Sequence, residues 1–326
     1  MKNNFLVMFY ILVILFINGC SSEVESESDD MDPQLKIIEG FDFNNYPKVD
    51  GSSSAEPLNR LIACKLLGIK YHWTDFYKDG GIVRGIEPIL KLPVNINRFN
   101  ELVNTTGTHP SVINLIDKEV DFIISARKIS KDEKEYADNI GVSLIEIPIA
   151  LDAFIFIVNK ENPITSLTTE QIQDIYTGKI TNWNEVGGNN EPINPYVREA
   201  NSGSQELMDL FVMKGLSMED FPVSWEVIHT MTGAFEKVQY DTYGICYTVF
   251  YYKEHIINEI ITNSIAIEGT YPNIETISNN TYPFVAEVYA IIRSDLDKLS
   301  MPYKLAEFLQ TDLGKNVIKE SGYLSN

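Results

Sequence analysis

Leu167-Thr168-Thr169-Glu170-Gln171-Ile172-Gln173-Asp174-Ile175-Tyr176-Thr177-Gly178-Lys179-Ile180-Thr181-Asn182-Trp183-Asn184-Glu185-Val186-Gly187-Gly188 is the stretch on which the fold assignment turns. Its first half reads as a short capped helix. Thr168 stands three residues before Gln171, the spacing at which a hydroxyl and an amide side chain satisfy each other's free backbone N–H groups. Ile172, Ile175 and Tyr176 then recur on one helical face, and Gly178 follows as the residue that most readily leaves a helix. The second half, Lys179 to Gly188, is turn-rich, and residue propensities assign it no chemistry.

Downstream, Arg198-Glu199-Ala200-Asn201-Ser202-Gly203-Ser204-Gln205 brings a guanidinium, two hydroxyls and a glycine to a second helix start, with Leu207, Leu210 and Phe211 at helical spacing beyond. Ser202 and Gln205 again stand in capping-box register. The first N–H groups of a helix lack backbone partners and the dipole there is positive, so such a start can hold an anion or be an ordinary cap. Upstream, Ile145 to Asn159 is almost unbroken apolar sequence with Pro148 and Asp152 embedded. It exceeds the roughly 3–10 residues of an ordinary strand and reads as two consecutive strands or as one passing between lobes. Before it, Val120 to Ile124 reads as a buried parallel strand that ends at Ser125-Ala126-Arg127, and ligands collect beyond the carboxyl ends of such strands.

Two more helix starts precede that strand. Thr108-His109-Pro110 opens a helix carrying Val112, Leu115 and Ile116. Ser52-Ser53-Ser54 precedes one carrying Leu58, Leu61, Ile62 and Leu66, and Pro57 favours Ser54 as its cap over Ser53 paired with Glu56. Tyr71 to Asn104 has no clean periodicity. Tyr282-Pro283-Phe284 opens an apolar run to Ile292 that could be a second crossing between lobes, and a last helix is expected over Lys304 to Leu313, stopped by Gly314.

The 326 residues suffice for two lobes. A net charge of -20 argues against nucleic acid as a partner, since a phosphate backbone needs clustered Lys and Arg. The start of the chain differs from the rest. Met1-Lys2 is followed by an apolar run from Phe5 to Ile17 and by Ile17-Asn18-Gly19-Cys20, which resembles a bacterial lipoprotein signal with Cys20 as the lipidated residue. Ser21 to about Asn45, with Glu23, Glu25, Glu27, Asp29, Asp30 and Asp32, reads as a flexible acidic tether. Cys64 and Cys246 belong to no C-x-x-C pair and the four histidines are scattered, so no metal or cofactor site is expected and the two cysteines read as buried thiols.

The stretch from Leu167 to Gly188 strongly resembles the signature of substrate-binding proteins of phosphate ABC transporters. The resemblance continues through Arg198, Asn201 to Gln205 and Tyr243-Gly244-Ile245-Cys246-Tyr247, back to Val49 to Ser54, and on to Gly322-Tyr323. It implies an α/β protein of the two-lobed periplasmic-binding type (type II), with the ligand cleft between residues 46–152 plus 283–326 on one side and 153–282 on the other. It further implies inorganic phosphate held by Ser53, Ser54, Thr108, Ser125 and the neighbouring Arg127 from one lobe, and by Arg198, Ser202, Gly203 and Ser204 from the other. The expected protein is a monomeric, non-catalytic solute-binding protein, exported and anchored by acylated Cys20 to the outer face of the cytoplasmic membrane, where it serves an ABC permease. A phosphate sensor or surface-interaction lipoprotein on the same fold is the alternative. A serine hydrolase is disfavoured, because no G-x-S-x-G elbow and no identifiable histidine and aspartate partners accompany Ser202 or Ser204. One departure concerns the anion: many family members carry an aspartate after the strand-tip serine, which accepts the proton of monohydrogen phosphate, where this chain has Ala126. Sulfate lacks that proton, so a sulfate-like oxyanion stands as an alternative ligand. Asp50 and Asp152 approach the expected cleft as substitute acceptors or as ordinary turn carboxylates.

Overall fold

The computed structural model describes residues 31–78, 81–218, 227–258 and 261–325. Strand β1 (Val49–Gly51) leads through a 3-10 turn at Ser53–Ala55 into helix α1 (Glu56–Leu67), which ends on Gly68 at φ 73°. Pro57 lies in the first turn of α1, where its missing N–H costs nothing. Ser52, rather than Ser54, occupies the N-cap position of the preceding turn, and its hydroxyl is used elsewhere. The aperiodic stretch holds an antiparallel hairpin of β2 (Tyr71–Lys78) and β3 (Gly81–Pro88), then α2 (Pro93–Leu102). Next come α3 (Thr108–Ile116), β4 (Phe122–Ser125) and α4 (Lys131–Asn139).

The long apolar segment is one strand, β5 (Leu144–Asn159), whose 16 residues at about 3.3 Å each run through both lobes. Pro148 is tolerated because the register slips there: Tyr289 faces Pro148 and Val288 faces Ala150, a bulge that asks no N–H of the proline. The second lobe comprises β6 (Ser166–Leu167), α5 (Thr169–Tyr176), β7 (Asn194–Pro195), β8 (Val197–Arg198), α6 (Gly203–Leu207), β9 (Val227–Ile228), α7 (Met231–Tyr240), β10 (Gly244–Val249), β11 (Thr262–Ser264), β12 (Ala266–Ile267) and α8 (Ile274–Ser278). The chain returns through β13 (Val285–Arg293) to α9 (Met301–Gln310), α10 (Asp312–Glu320) and β14 (Leu324–Ser325).

One eight-stranded sheet in the order β1-β4-β13-β5-β10-β7 joins the lobes, with β11 and β14 also paired to β5. β5 faces β13 up to Ala153 and β10 from Phe154 onward, so its partner changes where it crosses. In the second lobe Phe154, Phe156, Tyr176 and Tyr247 pack with ring centroids 5.4–6.2 Å apart. The turn-rich stretch after α5 is fixed there by the buried Trp183, whose indole N–H donates to the Tyr243 carbonyl at 3.0 Å. A Cβ on Gly188 would press to 3.0 Å on Trp183, which explains a glycine at that close approach.

Three expectations need correction. Residues 31–45 are packed rather than a free tether: Asp32 N–H donates to the Gly68 carbonyl at 2.9 Å, and Phe41 and Phe43 are buried. The acidic composition hid two aromatic anchors. The final helix is two, and Gly314 lies inside α10, where a Cβ would stand 2.1 Å from the Phe308 carbonyl oxygen. Glycine is needed there for packing and does not stop a helix. Gln205 completes only half of the expected capping box. Its N–H donates to Ser202 Oγ at 3.1 Å, while its side-chain oxygen accepts from the Tyr247 hydroxyl. After α6 the helix continues in π form over Met208–Met213.

Cys64 and Cys246 are free and buried, and burial pushes both thiols up to about 12. Among the described residues no helix is long and apolar enough to cross a membrane, and no His, Cys, Asp and Glu cluster could hold a metal. Cys20 lies outside the described residues.

Candidate functional site

A cavity of about 400 Å³ opens between the lobes. Three helix starts and one strand tip meet around it, because β1 and β4 run parallel and deliver their carboxyl ends to the same edge. Ser52, Ser53, Ser54, Thr108 and Ala126 line it from the first lobe, and Arg198, Ser202, Gly203 and Ser204 from the second. Ser52 organises its side. Its hydroxyl bonds Thr108 Oγ1 at 2.9 Å and accepts the Ala126 N–H at 2.9 Å, tying the start of α1, the start of α3 and the β4 tip together. Ser54 is held through its carbonyl, which accepts from the Tyr323 hydroxyl at 3.1 Å. That contact places the Gly322-Tyr323 motif, since Tyr323 stacks on Tyr251 beneath the cleft.

Arg198 is the central cation. β8 pairs with β9, and this pairing brings Arg198 Nε to 3.0 Å from the Ile228 carbonyl, while Nη1 stands 3.1 Å from Met231 Sδ. The side chain is buried, at 5% exposure, and makes no ion pair with a carboxylate among the described residues. Burial accordingly holds its pKa below the usual guanidinium value. Ser202, Gly203 and Ser204 sit beside it at the start of α6, so the positive end of that short helix and the guanidinium face one space.

Not every expected residue arrives there. Arg127 does not line the cavity. Its two Nη atoms make a bidentate pair with Glu133 at 2.9 and 2.8 Å, and Glu133 also caps α4 through Ser130 and meets His109 Nδ1 at 2.9 Å. Burial opposes both charges, yet their mutual hydrogen bonds and attraction outweigh it, raising the arginine and lowering the carboxyl. Ser125 is buried at the strand tip and its hydroxyl donates to the Arg127 carbonyl at 2.7 Å, so its side chain shapes the turn.

The two aspartates are likewise engaged away from the cavity. Asp50 accepts from Gly51 N–H, Thr106 N–H, Thr106 Oγ1 and Asn114 Nδ2, and it tethers the loop before α3. Asp152 is buried in β5, accepts the Ala153 and Tyr251 N–H groups, and leaves Oδ2 without a partner among the described residues. Burial raises its carboxyl to about 7.

Sequence reasoning missed the hairpin and Glu206, and it placed Gly203 at the ligand without its close approach to Thr108. The β2–β3 hairpin forms an outer wall with Phe76, Lys78, Val83, Arg84 and Ile86. Asp79-Gly80-Gly81 was the turn signal in a stretch otherwise without clean periodicity. Glu206 reaches Arg127 across the cleft at 3.5 Å, and Gly203 lies so near Thr108 that an added Cβ would be 2.5 Å from Oγ1. Nothing in the sequence indicated either approach.

Comparisons with known proteins bear on the family and the fold. A model described as a PBP superfamily domain matches residues 97–319, about two thirds of the chain. The phosphate-binding protein PstS of Borreliella burgdorferi is 28% identical over 240 residues, which span 70% of this chain and 83% of that protein. The phosphate-binding protein PstS of Staphylococcus epidermidis is 24% identical over 295 residues, 88% of this chain and 81% of that one. Among solved structures, a Clostridium perfringens protein with bound phosphate shares the fold at a TM-score of 0.62 and 23% identity, covering 85% of this chain and 98% of its own. An ABC-type phosphate transport receptor from Vibrio cholerae does so at 0.59 and 22%, with the same coverage of 85% and 98%.

Proposed function

The chain belongs to the PBP superfamily, and on that premise we propose that it captures inorganic phosphate between its lobes and presents it to an ABC importer. The observation that carries this reading is Arg198, a buried guanidinium without a carboxylate partner among the described residues, aimed with the α6 start at a cavity between lobes. A buried cation without a counter-ion is costly, and an anionic ligand removes that cost on arrival. Ser53, Ser54 and Thr108 face it from the other lobe, so closure would surround a tetrahedral anion with donors. Relatives bearing the name phosphate-binding protein, and a structural neighbour called a phosphate transport receptor, support phosphate and transport.

The protein binds without catalysing a reaction in this reading: no serine of the cradle hydrogen-bonds a histidine among the described residues, and the cradle offers donors rather than an activating base. The N-terminal sequence supports export as a lipoprotein through Cys20, and mass spectrometry of the membrane-bound protein tests this by seeking the acylated Cys20 peptide.

Titration calorimetry with phosphate and sulfate in parallel tests the ligand. Phosphate should bind at micromolar Kd or tighter, about -8 kcal/mol, and Arg198→Ala should weaken it by about a hundredfold. No heat with phosphate at micromolar protein, or tighter binding of sulfate, overturns the assignment. Sulfate remains the competing ligand because Ala126 occupies the strand tip and the carboxylates lining the cavity are engaged, Glu56 with Lys78 and Glu199 with His229.

A further inference from the structure

Monohydrogen phosphate differs from sulfate by one proton, and only a group that accepts without donating can read that difference. The hydroxyls of Ser53 and Ser54 cannot, since each can turn to accept from one anion and donate to the other. Arg198 and the helix-start N–H groups donate only. The carboxylates on the cavity wall are paired, Glu56 with Lys78 and Glu199 with His229.

One further side chain on that wall has the required character. His109 follows Thr108 in the first turn of α3 and lines the cavity. Its Nδ1 lies 2.9 Å from Glu133 Oε1. Glu133 is fully buried, receives both Nη atoms of Arg127 at 2.9 and 2.8 Å, and accepts the Ser130 N–H at 2.7 Å. Burial opposes the charge on Glu133, but the hydrogen bonds and attraction of the guanidinium outweigh it and hold the carboxyl below its usual range. An ionised carboxylate only accepts, so in the neutral imidazole the proton sits on Nδ1 and Nε2 is left as a lone pair. Nε2 has no partner among the described residues. The side chain keeps 22% exposure while Glu133 has none, so the open edge of the ring is the one turned away from Glu133. Of His109, Glu133, Arg127 and Glu206, which meet in one cluster, His109 alone lines the cavity. Asp132 on α4 and Glu206 on α6 add negative charge beside this cluster, and both favour a second proton on the ring in acid. Doubly protonated, the ring would donate to either anion and lose its discrimination.

We propose that His109 is the residue that tells phosphate from sulfate: its Nε2 accepts the P–OH of monohydrogen phosphate held in the cradle, and meets sulfate lone pair to lone pair. This rests on the phosphate reading above and names a source of its specificity. Glu133 and Arg127 act behind it as positioning residues that fix the tautomer.

The test is calorimetric titration of the purified protein with inorganic phosphate and with sulfate at about pH 8, where a free imidazole is neutral. Wild type, His109→Leu and His109→Gln are compared, with a thermal melt verifying each fold. Wild type should bind phosphate about ten- to a hundredfold tighter than sulfate. In His109→Leu phosphate should weaken about tenfold while sulfate does not weaken. In His109→Gln the amide can turn to either anion, so sulfate should gain and the ratio should fall to about one; this variant decides alone if the leucine variant does not fold. A wild-type ratio near one, or a ratio that neither variant changes, overturns the proposal and leaves the phosphate reading standing. Equal weakening of both anions overturns it as well and makes His109 a support for the start of α3. Failure of wild type to bind phosphate removes the phosphate reading itself.

Discussion

Replacing Gly203 by alanine separates ligand binding from folding. Gly203 opens α6, and its φ is not in the left-handed region, so alanine fits the backbone and as a helix former could add up to about 1 kcal/mol of stability. The new Cβ would stand 2.5 Å from Thr108 Oγ1 and 3.2 Å from Thr108 Cβ on the opposing lobe. The first distance is about 1 Å inside ordinary contact. Rotating the threonine would break its 2.9 Å bond to Ser52, which joins the first lobe's helix starts, so the less costly response is for the lobes to stay apart by about that ångström. An ångström of separation lengthens at least one hydrogen bond to a charged ligand, worth about 1.5–3 kcal/mol, and phosphate affinity should fall about ten- to a hundredfold. Calorimetry gives the affinity, small-angle scattering with and without phosphate gives the extent of closure, and a melt of the unliganded protein gives stability. Affinity within twofold of wild type, or a melt several degrees lower without ligand, would refute the reasoning.

Glu206→Gln removes the contact with Arg127 across the cleft, and since this pair is partly exposed the loss should be about 0.5–1 kcal/mol, seen as several-fold weaker phosphate binding. Burial holds the Glu206 carboxyl above its usual range, so wild-type affinity should decline relative to the variant as pH falls, and parallel titration curves would reject that coupling. Arg127→Ala leaves the buried Glu133 with His109 and the Ser130 N–H but without its guanidinium, which should cost about 3–5 kcal/mol in urea unfolding; a loss confined to ligand affinity would instead make Arg127 a ligand residue. Burial raises the Asp152 carboxyl to about 7, against about 3.9 for an ordinary aspartate, so the folded state keeps a proton that the unfolded chain has lost and stability should decline as pH rises from about 4 to 7, by up to roughly 4 kcal/mol. In Asp152→Asn that decline should vanish, and a stability difference between wild type and variant that does not change with pH would show that Asp152 ionises normally.

What the sequence disclosed depended on the range of the interaction. Helix starts were legible at Ser52 to Ser54, Thr108 and Ser202 because small polar residues and the first apolar turn lie within a few residues, although only Ser202 caps its helix through its side chain. The β4 strand was legible because it is buried on both faces and its composition says so. The β2–β3 hairpin was not. β2 has no buried residue, and both faces of the hairpin carry charge, with His72, Lys78, Arg84 and Glu87 interrupting the alternation that marks a strand. Arg127 was placed at the ligand through the family resemblance, beside the strand-tip serine. The signal against this was local: Ser130 and Glu133 stand in capping-box spacing, and the carboxylate that closes that box also holds the arginine. Glu206 and Gly203 belong to pairs that exist only when the lobes meet, and no local pattern encodes a meeting of segments about 80 to 95 residues apart.

The hydroxyls divide the same way, and the division bears on selectivity. Ser52 and Ser125 are committed to holding the first lobe together, whereas Ser53 and Ser54 show no side-chain hydrogen bond among the described residues. The cradle therefore consists of donors: hydroxyls, helix-start N–H groups and Arg198, with Glu56 and Glu199 already paired. Donors reward negative charge and tetrahedral shape, which phosphate and sulfate share. A cradle of donors has no fixed acceptor for the proton that monohydrogen phosphate carries and sulfate lacks, so by itself it offers no proton test to set the two anions apart.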